Sequence, residues 1–119
     1  MFIKKHDEAS EFEAGDLTIL RELVHPVNDG LAIGYSLAHA RLPLGAASLP
    51  HSLKGSELYY ILQGKGQLFI NSENRELTKG DSALVPPMSI QYIKNIGEEE
   101  LLFLCIVEPF WRLEDEELP

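Results

Sequence analysis

The chain has 119 residues, of which 45% are hydrophobic and 24% are charged. This length fits one domain, and a chain of this size buries enough surface to fold without disulfides or a structural metal. Ten Lys and Arg against nineteen Asp and Glu give a net charge of −9. Such a charge repels nucleic-acid phosphates, so we expect no nucleic-acid partner.

The cellular setting is predicted from what the sequence lacks. No apolar run approaches the ~20 residues that a membrane-spanning helix needs, and the first residues turn acidic without the apolar core of a signal peptide. The single cysteine, Cys105, excludes an internal disulfide and is compatible with a reducing cytosol. We therefore expect a cytoplasmic protein with no membrane partner.

Taken in chain order, the sequence predicts a series of short strands and no long helix. The predicted strands cover residues 17–24, 32–42, 57–63, 66–70, 74–78, 82–86, 89–95 and 101–108. Strands that recur at this spacing predict an all-β sandwich or barrel. Between two of them, Gly64 and Gly66 flank Lys65 and predict a hairpin turn, since no helix follows that would make a phosphate loop.

Successive side chains on a strand point to opposite faces, and this alternation groups the residues. Glu57, Tyr59 and Ile61 share one face of their strand. In 32–42, alternation puts His39 among larger side chains opposite a face of small ones, but it does not tell which face is interior.

The last predicted strand, 101–108, is apolar on both faces. Such a strand must be covered twice, either by a second sheet or by another subunit. This pattern favours a homodimer. The aromatic pair Phe110 and Trp111, which follows the strand, belongs either to the same interface or to the end of the barrel.

His51 and Glu57 stand in a regular pattern that points to a metal site. The spacing Gly45-x5-His51-x5-Glu57-x6-Gly64 places an imidazole and a carboxylate on neighbouring extended segments, and both groups are common ligands of divalent metals. Leu53, two residues after His51, lies where a second histidine ligand would be expected. The pattern therefore leaves open whether a metal is bound.

A second pattern, Gly80-x5-Pro86 and on to Asn95, follows the first. Together the two resemble the cupin motifs G-x5-H-x-H-x3,4-E-x6-G and G-x5-P-x-G-x2-H-x3-N, with every spacing kept. The resemblance implies a single cupin domain over residues 1–119, with motif one at 45–64 and motif two at 80–95. It also implies an antiparallel double-stranded β-helix, or jelly-roll barrel.

The resemblance implies a ligand set as well. In metal-binding cupins, two histidines and the glutamate of motif one join the histidine of motif two around one divalent ion. Here His51 and Glu57 match, and the implied metal is Fe, Mn, Ni or Zn. Leu53 replaces one histidine and Gln91 replaces the other, with an amide oxygen that is a weaker ligand. His39, on the preceding strand, is a candidate for the missing ligand.

The same motifs predict a pocket lined by Leu53, Tyr59, Ile61 and Met88. Met88 replaces the glycine of motif two, so the local turn must either avoid a positive φ or accept strain.

Several functions fit these observations. One is a metal-dependent enzyme acting on a small organic molecule, with isomerase-, dioxygenase- or decarboxylase-like chemistry, although the resemblance fixes no reaction. The alternative is a non-catalytic protein that binds or senses a small molecule without metal, which the loss of two ligands favours. A metal-free acid–base enzyme using Glu57 and His51 and a purely structural interface module are further alternatives. The expected partners are a small-molecule ligand and a second copy of the chain.

Overall fold

Eleven strands and two short 3₁₀ turns make up the computed structural model, which describes residues 1–119. The strands are β1 (Glu11–Glu13), β2 (Ile19–Val24), β3 (Ser36–Leu42), β4 (Ser52–Leu53), β5 (Ser56–Gln63), β6 (Lys65–Ile70), β7 (Glu73–Thr78), β8 (Ser82–Val85), β9 (Gln91–Asn95), β10 (Leu101–Glu108) and β11 (Glu116–Glu117). The 3₁₀ turns are His6–Glu8 and Leu113–Asp115. Neither turn is long or apolar enough to cross a bilayer.

The strands form a six-stranded sheet, a three-stranded sheet and one short ladder. The larger sheet has the order β1-β2-β3-β10-β5-β8, the smaller one β7-β6-β9, and β11 pairs with β4. All pairs are antiparallel. Isolated bridges from Ala47 to Lys94 and from His51 to Gln91 add the segment before β4 to the smaller sheet. The predicted all-β, antiparallel jelly-roll barrel is confirmed.

The inner faces of the two sheets meet in one core. Phe103 and Leu101 of β10 and Ile61 of β5 pack with Leu68 of β6 and Ile93 of β9, and all five are at most 3% exposed. Burying a side chain of this size stabilises the fold by about 1.5–3 kcal/mol. One end of the barrel is therefore filled by large side chains.

Smaller side chains line the other end and leave a cavity there. Ser36 and Ala38 of β3 lie opposite Val107 and Cys105 of β10. The inner face of β3 is the one with the small residues, which answers the question that alternation left open. The space that these side chains leave is a cavity of about 300 Å³.

Three predicted strands begin later than expected. The strand predicted at 17–24 begins at Ile19, the one at 32–42 at Ser36 and the one at 89–95 at Gln91. Before Ser36, the Gly34 carbonyl accepts a hydrogen bond from the Phe110 N–H rather than from a neighbouring strand. At this position, a contact with the segment after β10 replaces strand pairing.

The hairpin predicted around Lys65 is wrong. β5 and β6 belong to different sheets, and Gly64, with a φ of 87°, turns the chain from one sheet to the other. A Cβ atom at Gly64 would lie 3.1 Å from the Glu100 carbonyl oxygen. A glycine is needed here both for the left-handed backbone and for the close approach.

Candidate functional site

His51 is fixed in the cavity wall by its backbone and its ring. Its N–H donates to the Gln91 carbonyl at 3.0 Å, and its own carbonyl accepts from the Gln91 N–H at 2.8 Å. The ring Nδ1 lies 3.0 Å from the Leu49 carbonyl oxygen, so the Nδ1–H donates to it. This contact turns Nε2 towards Glu57 and sets the orientation of the ring.

Glu57 points into the cavity from the inner face of β5. The residue is 7% exposed, and its Oε1 atom has no hydrogen-bond partner. The nearest cationic group is His51, whose Nε2 lies 3.9 Å from Oε1, an ion-pair distance that is too long for a hydrogen bond. A buried carboxylate oxygen without a donor is costly, at about 1–3 kcal/mol or more.

The surroundings of His51 favour its protonated form. Burial lowers the pKa of His51, but pairing with Glu57, the Leu49 carbonyl and the charge of Asp16 outweigh burial and raise this pKa to about 9. The Asp16 Oδ2 atom lies 3.6 Å from Nδ1. At neutral pH, the ring is therefore an imidazolium that faces two carboxylates.

Asp16 belongs to the site, although the sequence analysis did not identify it. Its Oδ1 accepts hydrogen bonds from the Thr18 N–H at 3.1 Å and from the Thr18 hydroxyl at 2.6 Å. Its backbone carbonyl accepts from the Leu49 N–H at 2.8 Å, which brings the loop beside His51. The Asp-x-Thr turn is readable in the sequence, but no sequence signal connects it with a distant histidine.

Tyr59 and Gln91 are joined by a buried hydrogen bond. The Tyr59 hydroxyl donates to the Gln91 Oε1 atom at 2.6 Å, and both side chains are buried. Burial and the charge of Glu57 raise the pKa of Tyr59 well above its ordinary value, so the hydroxyl stays protonated. Tyr59 lines the cavity and Gln91 does not. Gln91, which was expected as a metal ligand, therefore lies outside the cavity wall with its amide oxygen bonded to Tyr59.

The remaining predicted site residues lie in different places. Leu53 lines the cavity as expected, whereas Ile61 is buried in the filled part of the core. Met88 is 63% exposed and adopts a φ of 68°, so its turn accepts the strain and its side chain leaves the pocket. His39 lies on the outer face of β3, where its ring packs edge-on against His6 at 4.6 Å. Ile61, Met88 and His39 are corrected as site residues.

Three further residues with polar groups line the cavity. Cys105 has its pKa raised well above the ordinary value by burial and by Glu57, which keeps it a neutral thiol. The indole Nε1–H of Trp111 donates to the Glu116 Oε2 atom at 2.8 Å, and both residues line the cavity. Strand alternation in the sequence places Cys105 on the same face as Phe103 and Val107. Nothing in the sequence indicates that Glu116 lies beside Trp111.

The metal ion implied by the cupin resemblance does not fit this donor set. Of the four predicted ligands, only His51 and Glu57 converge. No group of three or more His, Cys, Asp or Glu side chains is arranged to hold a metal. Catalytic metal centres in proteins generally use three protein ligands.

Comparisons with known proteins agree with the fold and the motifs. The family described as "Cupin domain" matches residues 38–107. An uncharacterised protein from Methanocaldococcus jannaschii is 36% identical over 115 residues, which cover 96% of this chain and 91% of the relative. Both matches include the segment that carries His51 and Glu57.

Solved structures give the same result. A protein from Photorhabdus luminescens is 27% identical with a TM-score of 0.78, and the match covers 97% of this chain and 91% of that one. A predicted oxalate decarboxylase from Thermotoga maritima is 20% identical with a TM-score of 0.79, covering 92% and 99%. At this identity, the second likeness shows the fold alone. The family match, the archaeal relative and the shared barrel lead to one conclusion: the chain belongs to the cupin family.

Proposed function

We propose that this protein binds a small organic molecule in the cavity at the open end of the barrel, without a metal ion. The observation that carries the proposal is Glu57, which lines the cavity and whose buried Oε1 atom has no hydrogen-bond partner. A polar atom in this position is costly in the free protein and gains a partner when a ligand donates to it. Glu57 and the neighbouring His51 would hold the polar part of the ligand.

The cavity has the composition of a small-molecule site. Its volume of about 300 Å³ lies at the lower end of the range for ligand pockets, and 13 of the 22 residues around it are hydrophobic. Leu53, Phe103 and Val107 provide apolar surface, and Tyr59 adds an aromatic ring. Apolar walls with a few polar groups suit binding through shape, with orientation set by Glu57 and His51.

The fold likeness to an oxalate decarboxylase does not carry over to the substrate. Oxalate is a dianion, and a site for it needs cationic partners or a metal. No Lys or Arg lines this cavity, whereas Asp16, Glu57 and Glu116 do. The charge around the cavity therefore disfavours a dicarboxylate.

The absence of a metal requirement is tested by elemental analysis. Purified protein dialysed against Fe, Mn, Ni and Zn salts is expected to retain well below one equivalent of any of them, because only two donors converge. A near-stoichiometric metal content that is lost in both His51→Ala and Glu57→Ala would overturn this part of the proposal. It would restore the metal-dependent enzyme as the better interpretation.

Ligand binding itself is tested by chemical-shift mapping with a panel of neutral, cationic and anionic one-ring compounds. We expect at least one compound to shift the amide signals of Leu53, Tyr59 and Phe103. Val107→Phe fills the cavity and should abolish the shifts, whereas Ile106→Phe, on the opposite face of the same strand, should keep them. A panel without any such shift would count against the proposed function.

A further inference from the structure

The side chains that line the cavity carry an excess of negative charge. Three carboxylates line it, those of Asp16, Glu57 and Glu116, and no Lys or Arg does. His51 is the only lining side chain that carries a positive charge, so a net negative charge of two remains even with its ring protonated. Glu13 and Glu22 add two more carboxylates at the rim. A positively charged ligand would offset this excess, and an anion would increase it.

The three inner carboxylates differ in how well they are satisfied. Asp16 accepts two hydrogen bonds from Thr18, and Glu116 accepts one from the Trp111 indole. Glu57 is more than nine-tenths buried, and its Oε1 atom accepts none. Glu57 is therefore the one of the three with a buried oxygen atom that has no partner.

Aromatic rings surround the same space. Tyr59 and Phe103 stack with ring centroids 5.4 Å apart, and Phe12 and Trp111 contribute from the segments that flank the cavity. Aromatic faces attract organic cations through their negative π-surface, and they also pack against apolar ligand groups. The walls thus suit a cation with an apolar body.

We propose that the cavity takes a small organic ammonium ion, a primary or secondary amine with an apolar body, whose N–H donates to the Glu57 Oε1 atom. This inference rests on the proposed function and names the ligand class of that site. A charge-assisted N–H···O bond of this kind has a length of about 2.7–2.9 Å. The His51 imidazolium remains beside Glu57, and the carboxylate excess compensates both cations.

Four probes with one skeleton test the proposal: benzylamine, benzyl alcohol, benzoate and benzyltrimethylammonium. Trp111, the single tryptophan, lines the cavity, so its fluorescence reports binding to the full-length protein. Benzylamine is expected to bind at least tenfold more tightly than benzyl alcohol, and benzoate more weakly than either. Benzyltrimethylammonium, which has the charge but no N–H, should bind several-fold more weakly than benzylamine.

Variants separate the role of Glu57 from the overall negative charge. Glu57→Gln keeps the shape and is expected to reduce benzylamine affinity at least tenfold, with benzyl alcohol affinity within twofold of the original. Glu73→Gln removes one charge from an exposed position on β7 and should leave both affinities unchanged. Circular dichroism establishes that each variant is folded. If Glu57→Gln does not fold, the four probes on the unaltered protein still test whether the cavity prefers an ammonium ion.

The outcomes distinguish this inference from the proposed function. If benzyl alcohol or benzoate binds as tightly as benzylamine, the ammonium proposal is overturned and the small-molecule site stands. Binding of benzylamine that is insensitive to Glu57→Gln also overturns it. If all four probes fail to bind, the ammonium proposal fails, and the chemical-shift panel with Val107→Phe decides separately whether the cavity binds other molecules.

Discussion

His51 and Glu57 keep the motif spacing of a metal site but form an ion pair at the cavity wall. The His51 ring is anchored through Nδ1 to the Leu49 carbonyl, and Asp16 lies beside the same nitrogen. Where a metal-binding cupin would have a second histidine, Leu53 adds apolar surface. Gln91 replaces the histidine of motif two, and without either histidine the imidazolium of His51 and the carboxylate of Glu57 attract each other directly.

The ion pair between His51 and Glu57 predicts that the folded protein loses stability at high pH. The pKa of His51 rises from 6.5 to about 9 on folding, so the folded state binds this proton more tightly than the unfolded chain does. The stabilisation is fully present below about pH 6.5 and is lost as the pH rises through about 9, with a magnitude of roughly 3 kcal/mol. Urea unfolding at about pH 6 and about pH 10 measures it.

The matched variant for this experiment is His51→Gln, which cannot gain the proton. From about pH 6 to about pH 10, the unaltered protein should lose more stability than this variant. The difference between the two losses should be roughly 3 kcal/mol. An equal change in both proteins would show that His51 is not the source of the pH dependence.

At the scale of elements, Asn95 connects three parts of the barrel. Its Nδ2 group lies 3.0 Å from the Leu42 carbonyl, 3.2 Å from that of Pro43 and 2.9 Å from that of Glu99. Its Oδ1 atom accepts from the Gly97 N–H at 3.0 Å. These bonds join the end of β9 to the end of β3 and to the approach to β10. The asparagine of motif two has a structural role here that does not involve the cavity.

Asn95→Ala is expected to lower the free energy of unfolding by roughly 3 kcal/mol, because it removes the hydrogen bonds to four backbone groups, one of which is the buried Leu42 carbonyl. Asn74→Ala is the control: Asn74 is exposed on β7, and its removal should cost less than about 0.5 kcal/mol. Urea unfolding of both variants gives the comparison. A loss below about 1 kcal/mol for Asn95→Ala would contradict this role.

The sequence predicted the long strands well and the short ones not at all. Apart from β7, the strands from β5 to β10 have alternating or continuous apolar residues, and these patterns predicted them in the right places. The polar strand β7 was predicted from the turn signals on either side of it. β1, β4 and β11 contain two or three residues each. They are too short to show a period, and pairing with a neighbour is what defines them as strands.

The site residues could be predicted where a local motif places them, but not where only tertiary contacts do. The positions of His51 and Glu57 follow from motif spacing within one stretch of the chain. His39 was not assignable, because the interior face of β3 is set by its partner: Phe103 of β10 lies opposite Ala40 and needs a small neighbour. Asp16, Trp111 and Glu116 reach the cavity only through tertiary contacts.

At the scale of the whole molecule, an apolar stripe crosses the outer face of the larger sheet. Leu37, Ile106, Leu58 and Leu84 pair in one row across β3, β10, β5 and β8. The inner face of β10 is covered by the smaller sheet, and its outer face is half-buried. The homodimer expected from this strand stays a prediction, and the stripe is the surface on which to test it.

Light scattering is expected to give a mass near twice the 13.4 kDa of one chain. Leu84→Glu should shift the protein to monomer, because it places a charge in the stripe at a side chain that is 62% exposed in the single chain. Leu44→Glu is a matched control, since Leu44 is also 62% exposed but lies in a turn outside the stripe. A monomer at micromolar concentration in the unaltered protein would refute the dimer.

The ladder between β4 and β11 has a consequence for the rate of ligand exchange. Residues 113–118, which contribute part of the cavity wall, are held by two paired positions, by the bond from the Lys54 N–H to the Asp115 carbonyl and by the bond from the Trp111 indole to Glu116. Segments with so few contacts open at a much lower free energy than the core strands do. We therefore expect the amides of Glu116 and Glu117 to exchange with deuterium far sooner than those of β10. The residence time of a bound molecule would then follow the opening of this ladder rather than the unfolding of the barrel.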